Sequence, residues 1–309
     1  MVLVIGLFAM FSSIFTLQKV GLLYGEPFFL IGSRMLFAGI LLLGYQFLFK
    51  RKNFKFSLKT FFILCYFGLV AFYISNIVEI WGLNNMASSK ACLIYSVSPF
   101  LTALLAYFAL GEVLSIKKWL GMIIGFLGLM PIIYSQTAIE RSVGTFGFFT
   151  LAELAVLIAA TSSVYGWILL KKVINEYKCL PIMANGVAMT LGGALALIHS
   201  YISGESWNPV PVNNYAQFAQ NVLILCLISN IICYNLYGHL LKRYSATFMS
   251  FAGLVSPLFA SIFGWLILGE TVTWYFFISI ALFTIGLVIF HQEESVFSVK
   301  LPIPSNESS

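Results

Sequence analysis

The feature that most constrains this chain is a segment that occurs twice. SPFLTALLAYFALGE runs from Ser98 to Glu112, and SPLFASIFGWLILGE runs from Ser256 to Glu270. The opening Ser-Pro and the closing Leu-Gly-Glu recur at one spacing of 158 residues. An internal repeat is sought first because missing it leads to the wrong fold. Here the period is half of the chain, so the sequence predicts two related halves and not a solenoid.

Both copies lie in long apolar stretches. Of the 309 residues, 60% are hydrophobic and 9% are charged, whereas a soluble domain has about 25% charged residues. A membrane-spanning helix needs about 20 mostly apolar residues. Ten stretches meet this requirement: 2–22, 28–49, 60–82, 90–110, 117–135, 148–170, 181–202, 217–238, 246–268 and 273–290. We therefore predict an all-α membrane protein with ten transmembrane helices, whose first span is retained and is not a signal peptide.

The basic residues orient these spans. Of the 17 Lys and Arg residues, 12 lie in every second connection between spans. They are Lys50, Arg51, Lys52, Lys55, Lys59, Lys117, Lys118, Lys171, Lys172, Lys178, Lys242 and Arg243. The other connections contain only Lys90 and Arg141. By the positive-inside rule the first set is cytoplasmic, and with ten spans both termini are cytoplasmic too.

Five spans fall in each half, and five is an odd number. The second half must therefore be upside down relative to the first, which is an inverted-topology repeat. We place the first repeat at 1–140, the second at 141–292, and a polar cytoplasmic tail, predicted to be disordered, at 293–309. Inverted repeats are typical of secondary transporters, whose substrate lies near the bilayer midplane between the repeats.

With these features the chain resembles the drug/metabolite transporter superfamily, in its ten-span EamA-type branch. The resemblance covers about residues 2–290. It rests on the twin Pro…Leu-Gly-Glu segments and on Arg34 in the second span, within GSRMLFAG. It implies an inner-membrane carrier for amino acids, nucleotide-like metabolites, S-adenosylmethionine or drugs. The chain departs from symmetry in its seventh span, which has no arginine matching Arg34.

The two repeated segments also predict local structure. Pro99 and Pro257 remove a backbone donor within a span, so a carbonyl one turn earlier needs a partner in the protein or in a cavity. We expect both prolines to face the interior, as static kinks or as hinges.

The closing residues of the two segments predict turns. Gly111-Glu112 and Gly269-Glu270 are typical of helix ends, where glycine supplies a left-handed residue. We expect the two glutamates to cap a helix or to pair with a basic neighbour.

Ionisable residues within spans are costly and are functional candidates. Arg34 lies about 9 Å from the outer end of its span at 1.5 Å per residue. Lys19, Glu79 and Glu153 lie near the outer ends of spans one, three and six. We expect these four to meet in one outward-facing vestibule that binds substrate. The alternative is that they only pair with one another or reach the membrane surface.

Polar and aromatic residues complete the candidate site. Asn76 shares a helical face with Glu79, and Asn230 shares one with Tyr234; Tyr95 adds an aromatic ring. A further polar face in span one holds Ser12, Thr16 and Lys19. The alternative is hydrogen bonding and packing between helices. The five cysteines have no CxxC spacing, so no disulfide, metal or cofactor is predicted.

No phosphate-binding loop occurs, so the sequence favours a secondary carrier over a direct use of ATP. Mixed charges with many aromatic rings suit a zwitterion that has an aromatic or cationic part, such as S-adenosylmethionine, by uptake or exchange. The alternatives are an exporter of amino acids or drugs, and a channel or lipid flippase. The scattered single acids do not favour an enzyme. The expected partners are a small molecule and the lipid bilayer, without nucleic acid, and the chain is expected to be a monomer or a weak homo-oligomer.

Overall fold

The computed structural model describes residues 2–50, 57–110, 115–244, 249 and 252–291. This part of the chain is almost entirely helical. The helices are α1 (Val2–Leu22), α2 (Pro27–Phe49), α3 (Leu58–Asn84), α4 (Ser88–Tyr95), α5 (Ser98–Leu110), α6 (Ile116–Leu127), α7 (Leu129–Tyr134), α8 (Ala138–Ser142), α9 (Leu151–Asn175), α10 (Pro181–Ile202), α11 (Tyr215–Leu240), α12 (Ser256–Leu268) and α13 (Trp274–His291). One short hairpin, β1 (Thr145–Phe146) with β2 (Phe149–Thr150), precedes α9.

Seven segments of the described ranges are long and apolar enough to cross a membrane. They are α1, α2, α3, the α4–α5 segment from Ser88 to Leu105, α9, α10 and α11. The prediction of an all-helical chain is confirmed, but ten stretches were expected as full spans. The fifth stretch is divided at Gly128 into α6 and α7, and α12 and α13 are shorter apolar helices.

Short polar residues set where several helices begin. The side chains of Ser57, Ser115 and Asn214 each accept a hydrogen bond from a backbone N–H in the first turn of α3, α6 and α11. Thr137 and Thr150 form capping boxes with Glu140 and Glu153 at the starts of α8 and α9. Each cap satisfies backbone donors that have no partner within the helix.

Glycines allow two helix pairs to approach closely. α2 packs along α10, where a Cβ added to Gly39 would lie 2.5 Å from the backbone nitrogen of Thr190. α6 packs along α13, where a Cβ at Gly286 would lie 2.6 Å from the carbonyl oxygen of Gly121. Small residues at such contacts are how membrane helices gain packing energy without a hydrophobic driving force between them.

Two helices contain a π-helical segment in their middle, Gly68–Ile74 in α3 and Cys226–Cys233 in α11. A π turn shifts the hydrogen-bond ladder by one residue and exposes carbonyl groups. Asparagine side chains bind these carbonyls: Asn76 Nδ2 donates to the Ala71 carbonyl and Asn235 Nδ2 to the Asn230 carbonyl, each at 3.1 Å. These π-helical segments were not predicted from the sequence.

Both repeated prolines begin a helix. Pro99 and Pro257 are the second residues of α5 and α12, so their missing N–H falls in a first turn that does not need it. The carbonyl one turn before each proline is bound: Tyr95 O accepts from Ser98 Oγ at 2.5 Å, and Gly253 O accepts from the backbone N–H of the residue before Pro257. Each span is thus broken at its proline, where the sequence predicted a bend within one helix.

Of the two repeated turns, the second lies within the described residues. Gly269 follows α12 with φ of 65°, in the left-handed region that favours glycine. Glu270 comes directly after it. Gly111 and Glu112 lie outside the described residues, as does the predicted tail at 293–309.

Candidate functional site

A central cavity lies between helices from both halves of the chain. It holds about 900 Å³ of unoccupied space, counted out to its mouth, and its walls come from α1, α2, α3, α4, α9 and α11. The two helix breaks also reach it, through Tyr95 and Ser98 in the first half and Gly253 and Ser256 in the second. Its lining combines many apolar and aromatic side chains with a few polar groups, which is the composition typical of sites that bind small molecules.

One part of the cavity wall is polar. Arg34 from α2, Asn76 and Glu79 from α3, Tyr95 from α4 and Gln18 from α1 all line it. Arg34 and Glu79 are the two lining side chains that carry a full charge in the described residues. They give the wall one positive and one negative group.

Arg34 is buried but incompletely paired. Its side chain is 1% exposed, and Nη2 donates to Asn76 Oδ1 at 3.0 Å. Its Nε and Nη1 atoms have no hydrogen-bond partner within the described residues. A buried guanidinium with unused N–H groups is costly unless an anion binds to it. The arrangement therefore suits a carboxylate or another small anion in the cavity.

The carboxylate of Glu79 accepts a hydrogen bond from a tyrosine. Tyr95 Oη donates to Glu79 Oε2 at 2.5 Å. The described residues place no Lys, Arg or His nitrogen within 4.0 Å of this carboxylate. A cationic group of a ligand would supply the missing counter-charge.

The other part of the wall is aromatic. Phe11 from α1, Trp167 from α9, and Tyr234 and Tyr237 from α11 contact one another. The ring centroids of Trp167 and Tyr237 lie 4.1 Å apart, and those of Trp167 and Tyr234 lie 5.4 Å apart. Phe11 meets Tyr234 edge to face at 5.9 Å. Such a cluster binds flat rings by stacking and cations by their attraction to ring faces.

The structure brings together five of the eight predicted binding residues. They are Arg34, Asn76, Glu79, Tyr95 and Tyr234, all on the cavity wall. Asn230 is fully buried between helices, where its Nδ2 lies 2.8 Å from Met35 Sδ, and it does not line the cavity.

Lys19 and Glu153 also lie off the cavity wall. Lys19 Nζ is 3.9 Å from Glu270 Oε1. Glu153 shares Lys90 with Glu140: Lys90 Nζ is 2.8 Å from Glu153 Oε1 and 2.7 Å from Glu140 Oε2. The expected vestibule of four charges is therefore divided. Arg34 and Glu79 reach the cavity, and the other two charges are held in ion pairs beyond it.

Glu270 also caps a helix of the other half. Its carboxylate accepts hydrogen bonds from the backbone N–H and the hydroxyl of Ser88, at 2.8 and 2.7 Å, and from the backbone N–H of Ser89 at 3.3 Å. These contacts tie the end of α12 to the start of α4. They are the contacts of a structural residue.

Three wall residues, Gln18, Trp167 and Tyr237, were not among the candidate binding residues predicted from the sequence. The prediction selected the face of α1 with Ser12 and Thr16, and both of these are fully buried away from the cavity wall. The cavity face of α1 instead holds Phe8, Phe11, Ile14, Phe15 and Gln18. This face is also marked in the sequence, since these residues follow one another at three, three, one and three positions along the helix.

By its fold and its cavity, the chain is a multi-pass helical membrane protein with an internal site for a small molecule. The wall of this site has one basic side chain, one acidic side chain and an aromatic cluster. Within that class the chain belongs to the EamA-like transporter family, whose model matches residues 1–134 and 150–291. The family assignment made from the twin segments and Arg34 is thereby confirmed.

The chain is similar over most of its length to two relatives that are named for their substrates. It is 39% identical to the S-adenosylmethionine/S-adenosylhomocysteine transporter of Chlamydia muridarum, over 92% of this chain and 88% of that protein. It is 38% identical to the protein of the same name from Chlamydia trachomatis serovar L2, over 92% and 86% of the two chains.

A solved structure has the same fold. It is titled only "Crystal structure of protein", and it matches with a TM-score of 0.64 and 14% identity over 97% of this chain and 96% of that one. At this identity the match concerns the fold alone.

Proposed function

We propose that this protein is a secondary carrier of S-adenosylmethionine and S-adenosylhomocysteine. The observation that carries the proposal is the cavity, with Arg34 and Glu79 on one part of its wall and an aromatic cluster on another. The names of the relatives that are 38–39% identical support the same substrates.

The cavity wall fits each part of these ligands. The carboxylate of the amino-acid moiety binds the free N–H groups of Arg34, and its ammonium binds Glu79. The adenine ring stacks on the cluster of Phe11, Trp167 and Tyr234. The sulfonium of S-adenosylmethionine is attracted by the faces of the same rings, and the thioether of S-adenosylhomocysteine is accepted there as an apolar group.

We further propose ten spans in two inverted halves, at 1–140 and 141–292. The separate family matches at 1–134 and 150–291 support this division. So do three paired features: the breaks before Pro99 and Pro257, the π segments in α3 and α11, and the close packing of α2 with α10 and of α6 with α13. In an inverted repeat, equivalent helices meet in this way around a pseudo-two-fold axis.

The distribution of Lys and Arg supports a location in the cell inner membrane with both termini in the cytoplasm. In that orientation the contacts of Glu270 with Lys19 and Ser88 lie toward the outer face, where they join the second half of the chain to the first. Alternating access then requires the contacts of Glu270 with α4 to separate when the cavity opens outward.

The experiment is counterflow in proteoliposomes. Uptake of labelled S-adenosylmethionine should saturate and should be accelerated by S-adenosylhomocysteine trapped inside. Arg34→Met and Glu79→Gln should each reduce uptake at low substrate concentration about tenfold to 100-fold or more, because each leaves one buried charge of the ligand unpaired. A folded protein that shows no uptake, or uptake without acceleration from the trans side, would contradict the proposal.

Glu176→Gln is the matched control. Its side chain is 59% exposed and pairs with Lys172 at 3.9 Å, at the C-terminal end of α9. It makes the same chemical change outside the cavity, so uptake should stay at the level of the unmodified protein.

A further inference from the structure

We infer that Gln18 is the specificity residue for the amino-acid moiety of the ligand. Its amide, beside Glu79 on the cavity wall, binds the carboxylate through Nε2 and the ammonium through Oε1. The inference rests on the proposed function and adds a residue that distinguishes an adenosyl amino acid from a plain nucleoside.

The first observation is that Gln18 is buried and unpaired. Its side chain is fully buried and lines the cavity. Neither Nε2 nor Oε1 has a hydrogen-bond partner within the described residues. An amide left in this state costs free energy, whereas nearly all buried polar groups are bonded. A ligand that uses both atoms would remove the cost.

The second observation is that the other buried amides do not share this state. Asn185, Asn221 and Asn230 each lack a partner only at the oxygen, and their Nδ2 atoms donate hydrogen bonds. In the described part of the chain, Gln18 is the buried amide whose two ends are both unused. Gln18 lines the cavity, whereas Asn185, Asn221 and Asn230 do not.

The third observation is the position of Gln18 on α1. One turn earlier, the ring of Phe15 contacts the ring of Tyr95 with centroids 5.3 Å apart, and the Tyr95 hydroxyl binds Glu79. Gln18 approaches the same carboxylate without the geometry of a hydrogen bond to it. The neighbouring cation, Lys19, is turned to Glu270. The amide therefore interacts with the Glu79 carboxylate but makes no hydrogen bond of good geometry to it, and it can meet a ligand there.

An amide suits this position because it is neutral and has both a donor and an acceptor. A zwitterionic amino-acid group presents an acceptor and a donor next to each other. Arg34 and Glu79 supply the two charges, and Gln18 supplies a donor for one group and an acceptor for the other. A nucleoside without the amino-acid moiety would leave the amide of Gln18, the remaining N–H groups of Arg34 and the charge of Glu79 without a partner from the ligand.

The test uses three competitors against labelled S-adenosylmethionine, with the purified full chain. S-adenosylhomocysteine has both groups, decarboxylated S-adenosylmethionine lacks the carboxylate, and 5′-methylthioadenosine lacks both. In Gln18→Met, which keeps the side-chain length, the affinity for S-adenosylhomocysteine should fall about tenfold or more, as expected for hydrogen bonds to charged groups. Affinity for decarboxylated S-adenosylmethionine should fall less, and that for 5′-methylthioadenosine should change less than about twofold. An equal loss for all three, or no loss for S-adenosylhomocysteine, would overturn the inference.

Gln18→Glu gives a second, independent readout. It keeps the shape and the acceptor but adds a negative charge beside Glu79. S-adenosylhomocysteine should bind more weakly because its carboxylate is repelled, and decarboxylated S-adenosylmethionine, which carries only positive charges, should bind at least as well as before. Equal weakening of both ligands would contradict the assigned role.

Gln46→Met is the matched control. Gln46 is a buried glutamine of α2, 1% exposed, that does not line the cavity. It should leave the ranking of the three competitors unchanged. If the unmodified protein binds no adenosyl ligand, the proposed function fails; if it binds them and Gln18→Met binds them equally well, only the inference about Gln18 fails.

Discussion

Two buried basic side chains, Arg34 and Lys90, differ in how fully the protein pairs their charge. Both are nearly inaccessible, at 1% and 5% exposure. Lys90 is 2.7 Å from Glu140 and 2.8 Å from Glu153, so it is paired twice. Arg34 has one hydrogen bond, to the neutral side chain of Asn76, and two nitrogen atoms without partners in the described residues.

The difference teaches how to separate structural charges from binding charges. Lys90 joins the start of α4 to two capping boxes, at α8 and α9, and its charge is used within the protein. Arg34 faces a cavity, and its charge is only partly used. A charge compensated inside the fold supports the fold. A charge left uncompensated beside a cavity is, we propose, available to a ligand.

The largest expected effect on stability follows from Lys90→Met. Removing this ammonium leaves two buried carboxylates close together without a cation, and breaking a buried ion pair typically costs about 3–5 kcal/mol. The variant should unfold at a clearly lower temperature in detergent, as followed by tryptophan fluorescence. Its ligand affinity per folded molecule should be unchanged because Lys90 does not line the cavity.

Arg34→Met provides the contrast in the same measurement. It should lose transport, and its melting temperature should stay the same or rise, since an incompletely paired buried charge is removed. Equal destabilisation by the two variants would break the distinction between a structural cation and a binding cation.

The second prediction tests the pairing itself, with an intermediate effect. Glu153→Gln combined with Lys90→Met should destabilise the protein less than the sum of the two single changes, because the double variant removes both members of one pair. Coupling energies of interacting residues are about 0.5–3 kcal/mol, and we expect about 1–3 kcal/mol here. Glu176→Gln, which is exposed on α9, should instead be additive with Lys90→Met. Additivity in both cases would show that the Lys90–Glu153 contact has no energetic role.

Much of the fold follows from the sequence because its signals extend over long segments. Apolar stretches of about 20 residues predict spanning helices in any register, and a repeat at 158 residues does not depend on small errors in helix ends. The family follows from the same features, through the segments at 98–112 and 256–270. Arg34 and Glu79 were found because charges inside apolar stretches are rare in any membrane protein.

The neighbours of each charge could not be predicted in the same way, because they depend on helix rotation. Each residue turns an α-helix by about 100°, so Thr16 and Phe15 face different partners although they are adjacent. The π segment at Gly68–Ile74 changes this phase within α3, just before Asn76 and Glu79. No local sequence pattern used in the sequence analysis predicts a π turn. For this reason the sequence placed Lys19 and Glu153 beside Arg34, and the structure places them with Glu270 and Lys90.

Glu205 extends the comparison to a carboxylate that is held without a cation. It lies in the connection between α10 and α11. Its oxygens accept from the backbone N–H groups of Phe28 and Phe29, at 2.7 and 2.9 Å, and from the Ser200 hydroxyl at 2.5 Å. The positive end of α2 thus takes the place of a cation. Burial nevertheless raises the pKa of this carboxyl group above its ordinary range, and the same hydrogen bonds act in the opposite direction.

The last and smallest predicted effect is a pH dependence of stability. Because the pKa of Glu205 is raised in the folded state, the folded protein binds this proton more readily than the unfolded chain does. The contribution of Glu205 to stability is therefore fully present at low pH. It decreases as the pH rises from the ordinary carboxyl pKa of about 4.3 through the raised value. Glu205→Gln keeps the acceptor oxygen and cannot titrate. The melting temperature of the variant minus that of the unmodified protein should therefore increase across this interval and level off above it. If this difference in melting temperature instead decreased with rising pH, the N–H groups of α2 would stabilise the carboxylate by more than burial destabilises it. The end of a helix would then compensate a buried carboxylate as fully as Lys90 compensates Glu153.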